Sequence, residues 1–352
     1  MSLVSVSPET PAGEAPTAAP SSRAHLRHRF PLTFYIVRRV LAGVVTVLIA
    51  SAVIFAAITL LPGNVVQIIL GRNANPQSVS AIENQLNQGH PAWDRYVHFM
   101  GNLFSGHLGY STAGLVEGQK TSVESIIGPA FAHSAVLAVA TLVLFIPMVI
   151  VLGLAAGLKA GSVRDTTISV TSLAISSLPE FLVGTLLIVL FFDRLRLLPP
   201  VSSVPPGTSP LSNVNILVLP VLTLLLVSLA FGSRVLRACV AEIVSQDYVV
   251  LAGIHGYSQR RIVFRYVLPN ALPPTVQLIA QQLQYLIGGL VVVESVFAYP
   301  GIGTALVNAI SVHDVQVVMV VSILLAAFYV MINVVADVVA ILLDPRVRTT
   351  IS

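Results

Sequence analysis

Apolar positions gather into six long runs, separated by short polar stretches and, in two places, by longer ones. The runs cover approximately Tyr35–Leu61, His133–Leu158, Thr166–Phe192, Val214–Leu236, Val276–Phe297 and Val315–Leu343. A bilayer core of about 30 Å is crossed by roughly 20 helical residues, and every run reaches that length. Alternating segments at ~10-residue spacing, the mark of an outer-membrane barrel, are missing from the pattern. The prediction is an all-α polytopic membrane protein with six transmembrane helices. The first 30 residues are rich in Pro, Ala, Ser and Thr without apolar periodicity, which predicts a disordered tail ending in a basic patch. The run that continues from Val40 to Leu61 is longer than the 7–15 residues of a signal-peptide core, so it reads as a span. The expected division is 1–30 tail, 31–62 first span, 63–132 extracytoplasmic loop region, 133–345 core with a cytoplasmic loop at 237–275, and 346–352 cytoplasmic C-terminus.

Composition removes the soluble alternative. The chain has 352 residues, of which 55% are hydrophobic and 10% charged, with mean hydropathy +0.87; a soluble domain carries roughly 25% charged residues. The distribution of positive charge sets orientation. With a cytoplasmic N-terminus, fourteen of the 19 basic residues fall on the inside, and Arg72, Arg95, Lys120, Arg194 and Arg196 fall outside. Positive loops stay in the cytoplasm, so both termini are expected there. The net charge of +4 then reports topology and contact with anionic lipid, and nucleic acid is not an expected partner.

Candidate chemistry is sparse. A phosphate-binding loop needs Gly-Lys-Ser/Thr, whereas Lys120 follows Gln119 and Lys159 follows Leu158. No cofactor and no catalytic residue are expected in this chain, and any ATP and Mg would be bound by partner subunits. The single cysteine, Cys239, excludes an internal disulfide framework and a Cys-based zinc site. The eight histidines are scattered and suggest no metal centre. Glu180, Glu294 and Asp337 are the ionisable residues within or near spans, and pairing with a neighbouring helix is the expected role for each. No Gly-x-Ser-x-Gly elbow supports a membrane hydrolase, and an ion-coupled carrier would show inverted repeats and paired intramembrane charges.

The 237–275 loop reads RACVAEIVSQDYVVLAGIHGYSQRRIVFRYVLPNALPPT. Its first part predicts a helix from Glu242 to Gly256, with Ile243, Tyr248, Val249 and Ala252 near one face. Gly256 breaks that helix, and Ser258 caps a second, Gln259–Val267, which ends before Pro269. Two short helices at a right angle would make a docking knob. Arg260, Arg261 and Arg265, with Tyr248, Tyr257 and Tyr266, are of the types that dominate interface hot spots. In the fifth span Gln277, Gln281 and Gln284 share a face, and in the sixth Ser322, Tyr329 and Asn333 do. Both faces fit either a polar pathway or interhelical hydrogen bonding. Gly153, Gly157 and Gly161, four apart, predict close helix packing.

The same loop resembles the EAA loop of binding-protein-dependent ABC importer permeases. Ala252 matches the second alanine of that pattern, Gly256 its glycine, and Leu268-Pro269 its closing pair. Val250, Leu251 and Tyr266 depart from it. Further segments are similar to the first permease of dipeptide, oligopeptide and nickel importers: the Arg-Arg start and Leu-Pro-Gly exit of the first span, SGHLGYS, RVLRACVAEIVSQDYV, VVVESVFAYPGIG and LDPR. The resemblance implies a type I ABC importer permease fold in a bacterial inner membrane. It also implies a heterodimer with a second homologous permease, two ATP-binding subunits and an extracytoplasmic substrate-binding protein. The implied function is uptake of di- and oligopeptides by alternating access. In that reading Tyr248, Ala252, Gly256, Arg260, Arg261, Arg265, Leu268 and Pro269 form the ATPase-coupling loop. Gln277, Gln281, Gln284, Ser322, Tyr329 and Asn333 line the translocation pathway. Nickel or a metal chelate is the alternative cargo.

Overall fold

A computed structural model describes residues 31–59, 90–205 and 207–343. The tail, the Leu61-Pro62-Gly63 exit, the first part of the 63–132 region and the C-terminal segment lie outside the described residues, as does the side chain of Gln277. The chain forms α1 (Pro31–Thr59), α2 (Ala92–Phe104), α3 (Thr112–Val116), α4 (Val123–Gly157), α5 (Val163–Ser176) and α6 (Glu180–Ile188). It continues through α7 (Asn215–Val244), α8 (Asp247–Ile254), α9 (Gln259–Ile262), α10 (Leu268–Val296), α11 (Ile302–Ser311) and α12 (Val315–Leu343). Single π-helical turns follow α6 and α9. The fold is all-α, without a strand among the described residues.

Among the described residues five helices are long and apolar enough to cross a membrane, and the α5–α6 pair, counted as one span, makes six. That third span departs from the uninterrupted helix expected over Thr166–Phe192: it bends by 101° between α5 and α6. Pro179 takes extended backbone (φ −60°, ψ 146°) and Glu180 restarts the helix. A proline lacks the N–H and disfavours helical backbone before it, so the break falls where Pro179 stands. Other boundaries also shift. Ser122 caps α4 through the amide of Ser125, which starts that helix well before His133, and α7 runs on past Leu236 to Val244.

The central element is α7, 78% buried within its most apolar window, against 17% for α1 and 22% for α4. Its tightest neighbour is α4. A Cβ on Gly153 would stand 2.6 Å from Leu236, and one on Gly157 would stand 2.6 Å from Val240. The glycines therefore admit the side chains of α7, as their spacing predicts. Gly161 is different: it lies beyond the helix end at φ +81° with nothing near its missing side chain, so it serves a turn. There Asp165 accepts two bonds from Arg237, at 2.7 and 2.6 Å, and one from the Gly161 amide at 2.8 Å. This fastens the α4–α5 turn to α7. At the edge of the bundle α1 packs on α12, with Gly43 close against Val330 and Val334 and Arg39 paired to Asp337.

Candidate functional site

At one end of α7 the chain builds the knob. The expected single helix over Glu242–Gly256 is two helices, because Gln246 adopts extended backbone (φ −72°, ψ 143°) between α7 and α8. Gly256 sits at φ +78°, and the amides of Gly256 and Tyr257 bond to the carbonyls of Gly253 and Ala252. This is the double closure of a Schellman C-cap, which needs left-handed backbone and hence glycine. Ser258 occupies the N-cap of α9 without a side-chain capping bond. From there the chain stays helical: α9, the π turn Val263–Val267 and α10 follow one another directly, so the expected stop before Pro269 does not occur. Pro269 lies in the first turn of α10, and the wider π turn upstream removes the clash its ring would make with the carbonyl four residues back.

The knob is fixed to the bundle by Val249, Ala252, Ile262 and Val267, which join Leu236, Val240 and Leu278 in one buried cluster. Ala252 is thus part of the knob's foundation. Tyr248, Arg260, Arg261, Arg265 and Pro269 are exposed and Leu268 is half-buried. Arg261 lies 5.2 Å above the Tyr257 ring, which stacks on Tyr266 at 6.1 Å. A guanidinium over an aromatic face is held by the ring quadrupole, so Arg261 stiffens the turn while Arg260 and Arg265 remain open. Sequence reasoning passed over the most exposed apolar groups here, Ile254 at 75% and Phe264 at 68%, with Leu251 at 51%. Their signal was present: once Val249 and Ala252 are taken as buried, Leu251 and Ile254 fall on the opposite face of α8.

Within the span region Gln284 donates to Asn333 at 2.6 Å, joining α10 to α12. That pair is an interhelical hydrogen bond, one of the two readings its sequence position allowed. Gln281 and Tyr329 are exposed and Ser322 is half-buried. Gln282, absent from the expected set, is 3% exposed and its Oε1 has no partner.

At the far end Glu294 is fully buried. Its carboxylate accepts from the Ser134 hydroxyl at 2.5 Å and from the amides of Gly303 and Thr304 at 2.8 and 3.3 Å. It therefore caps the N-terminus of α11 from the end of α10 and ties both to α4. The Ser134 hydroxyl in turn accepts from the Ile302 amide at 2.8 Å, and His133 Nδ1 lies 3.0 Å from the Pro300 carbonyl. SGHLGYS is anchored similarly. Asp314 accepts from the Ser111 hydroxyl and from the Thr112 amide, and Gln316 donates to the Leu108 carbonyl at 2.8 Å. A cleft of about 960 Å³ opens between this segment and α11, bordered by Glu117, His133, Thr304 and Asn308. The three membrane carboxylates differ: Glu294 and Asp337 have partners, whereas Glu180 has a buried oxygen without one.

Two family matches cover this architecture. Residues 149–349 match the binding-protein-dependent transport system inner membrane component, and residues 32–149 match the N-terminal part of such membrane components. A probable peptide ABC transporter permease of Sinorhizobium fredii, y4tP, is 30% identical over 316 residues, covering 89% of this chain and 99% of that protein. The glutathione transport system permease GsiC of Escherichia coli K12 is 29% identical over 318 residues, covering 89% and 98%. The chain is an integral inner membrane transport subunit and belongs to the family of binding-protein-dependent transport system inner membrane components.

Proposed function

We propose that this chain is the first permease subunit of an ABC importer for short peptides, working by alternating access with a second permease, two ATPases and an extracytoplasmic binding protein. Peptide cargo is supported by relatives named for peptide and glutathione transport. The observation that carries the coupling is the knob. It offers Leu251, Ile254 and Phe264 to solvent at one end of the bundle, flanked by Arg260 and Arg265, the mixture of apolar area and charged donors that suits a protein groove. We assign it to the ATPase subunits, with both termini cytoplasmic, a reading that the distribution of basic residues supports. Its buried foundation on α7 and α10 would pass a displacement of the knob into the spans as a rigid movement. ATP and Mg belong to the partners, and this chain carries out no bond chemistry. Gln281, Gln284, Ser322, Tyr329 and Asn333 supply the neutral polar groups of the pathway, and Gln277 is assigned with them from its sequence position.

The test is purification of the tagged chain in mild detergent, followed by uptake in proteoliposomes. Co-purification of a second permease and ATPases, with ATP-dependent uptake of a tripeptide delivered by the binding protein, is the expected result. A homo-oligomer without ATPase would refute the coupling, and a binding protein that takes nickel but no peptide would replace the cargo.

A further inference from the structure

Glu180 stands halfway along the α5–α6 pair, at the 101° break, and begins α6 directly after Pro179. Its carboxylate lies over Gly289 of α10, where a Cβ would come within 2.8 and 3.0 Å of its two oxygens. Gly289 thereby leaves the room that the carboxylate fills. The Tyr285 phenol interacts with this carboxylate. One carboxylate oxygen is shielded from solvent and accepts no hydrogen bond, and none of the ion pairs among the described residues includes Glu180. Acidic groups without a countercharge at membrane depth are costly and mostly face the bundle interior, a water-filled cavity or a partner.

The surroundings are polar and exposed. Gln281, Tyr285 and Gly288 form an exposed stripe on α10 at i, i+4 and i+7, with no atom near the missing side chain of Gly288. Ser176 and Ser177 at the break are exposed as well. Amide, phenol, hydroxyl and bare backbone at this depth do not suit lipid. Such a surface is suited to water or to another polar group, and the Glu180 carboxylate lies next to it, beside Tyr285.

We propose that Glu180 recognises a positively charged amino group of the cargo as it passes the α6–α10 contact, an inference that rests on the pathway reading above. The neutral amides would accept a peptide backbone of any sequence, while this carboxylate orients the ammonium end and disfavours an anionic one.

Two measurements on the complete complex test it, in a background with Cys239→Ala and the partners' accessible cysteines removed. In the first, Gly288→Cys is treated with a methanethiosulfonate carrying an ammonium group and with a sulfonate of similar size. The ammonium reagent should react several-fold faster relative to a free thiol, and Glu180→Gln should abolish that preference. An unchanged ratio, or no reaction with either reagent, overturns the proposal. In the second, binding-protein-dependent uptake of trialanine should fall at least about tenfold in Glu180→Gln, as expected for loss of a charge-assisted bond. Uptake should be largely retained in Glu180→Asp, with stimulated ATPase activity and thermal stability unchanged in both. Unaltered uptake in Glu180→Gln, or a loss matched by loss of stability, counts against the assignment. Absence of uptake in the unsubstituted complex instead refutes the peptide-importer reading, while the reagent preference still reports on Glu180 alone.

Discussion

Gly301 has extended backbone (φ −99°, ψ −176°) open to any residue, so its requirement is one of space: a Cβ there would overlap the Glu294 carboxylate. Burying a carboxylate is costly unless donors surround it, and here Ser134, Gly303 and Thr304 do so. The motif VVVESVFAYPGIG therefore encodes a capped turn between α10 and α11. Removing the acceptor leaves buried donors without a partner. Glu294→Ala should lower stability by about 3 kcal/mol, and Gly301→Ala by about 1–3 kcal/mol, both measurable by thermal unfolding in detergent. Equal stability of Glu294→Ala and the parent chain would refute the capping role. The sequence identified Glu294 as a candidate for pairing. It did not reveal the partners, because Ser134 lies far away along the chain and two of the donors are backbone amides.

The knob shows at the level of elements how local signals and packing divide the work. Gly256 as a helix breaker and Gln259 as a restart were legible, since left-handed backbone and extended N-cap geometry are short-range properties. The continuity of α9 with α10 was not, because a π turn upstream of Pro269 offsets the local rule that proline ends a helix. The same division explains Ala252, which packs beneath the knob, and Ile254, which projects from it. Ile254→Asp should leave membrane insertion intact and weaken ATPase association by about 2 kcal/mol, the scale of an interface hot spot; quantitative co-purification measures it. Gly256→Val forces a β-branched residue to φ +78°, at a cost of roughly 1–2 kcal/mol, and should reduce stimulated ATPase activity through the displaced α8–α9 turn. Undiminished ATPase association in Ile254→Asp would remove α8 from the interface.

For the whole molecule, orientation has a direct test. Ile254 and Asn308 are exposed at opposite ends of the bundle. In a Cys239→Ala background, a thiol at Ile254→Cys should react with impermeant reagent only from the cytoplasmic side, and one at Asn308→Cys only from the other. The reverse pattern would overturn the assigned topology. By itself the sequence determined the all-α class, the apolar runs of span length and the place of the knob. These follow from hydrophobic run length and short-range backbone preferences, which need no knowledge of neighbours. Only the tertiary structure decided that the third span is broken at Pro179, that Gly153 and Gly157 seat α7 whereas Gly161 makes a turn, and that Gln284 is engaged by Asn333. It alone separated Glu294 and Asp337, which have partners, from Glu180, which has an unpartnered oxygen. The fate of a polar group in a membrane depends on which helix faces it, and that contact joins residues the chain holds far apart.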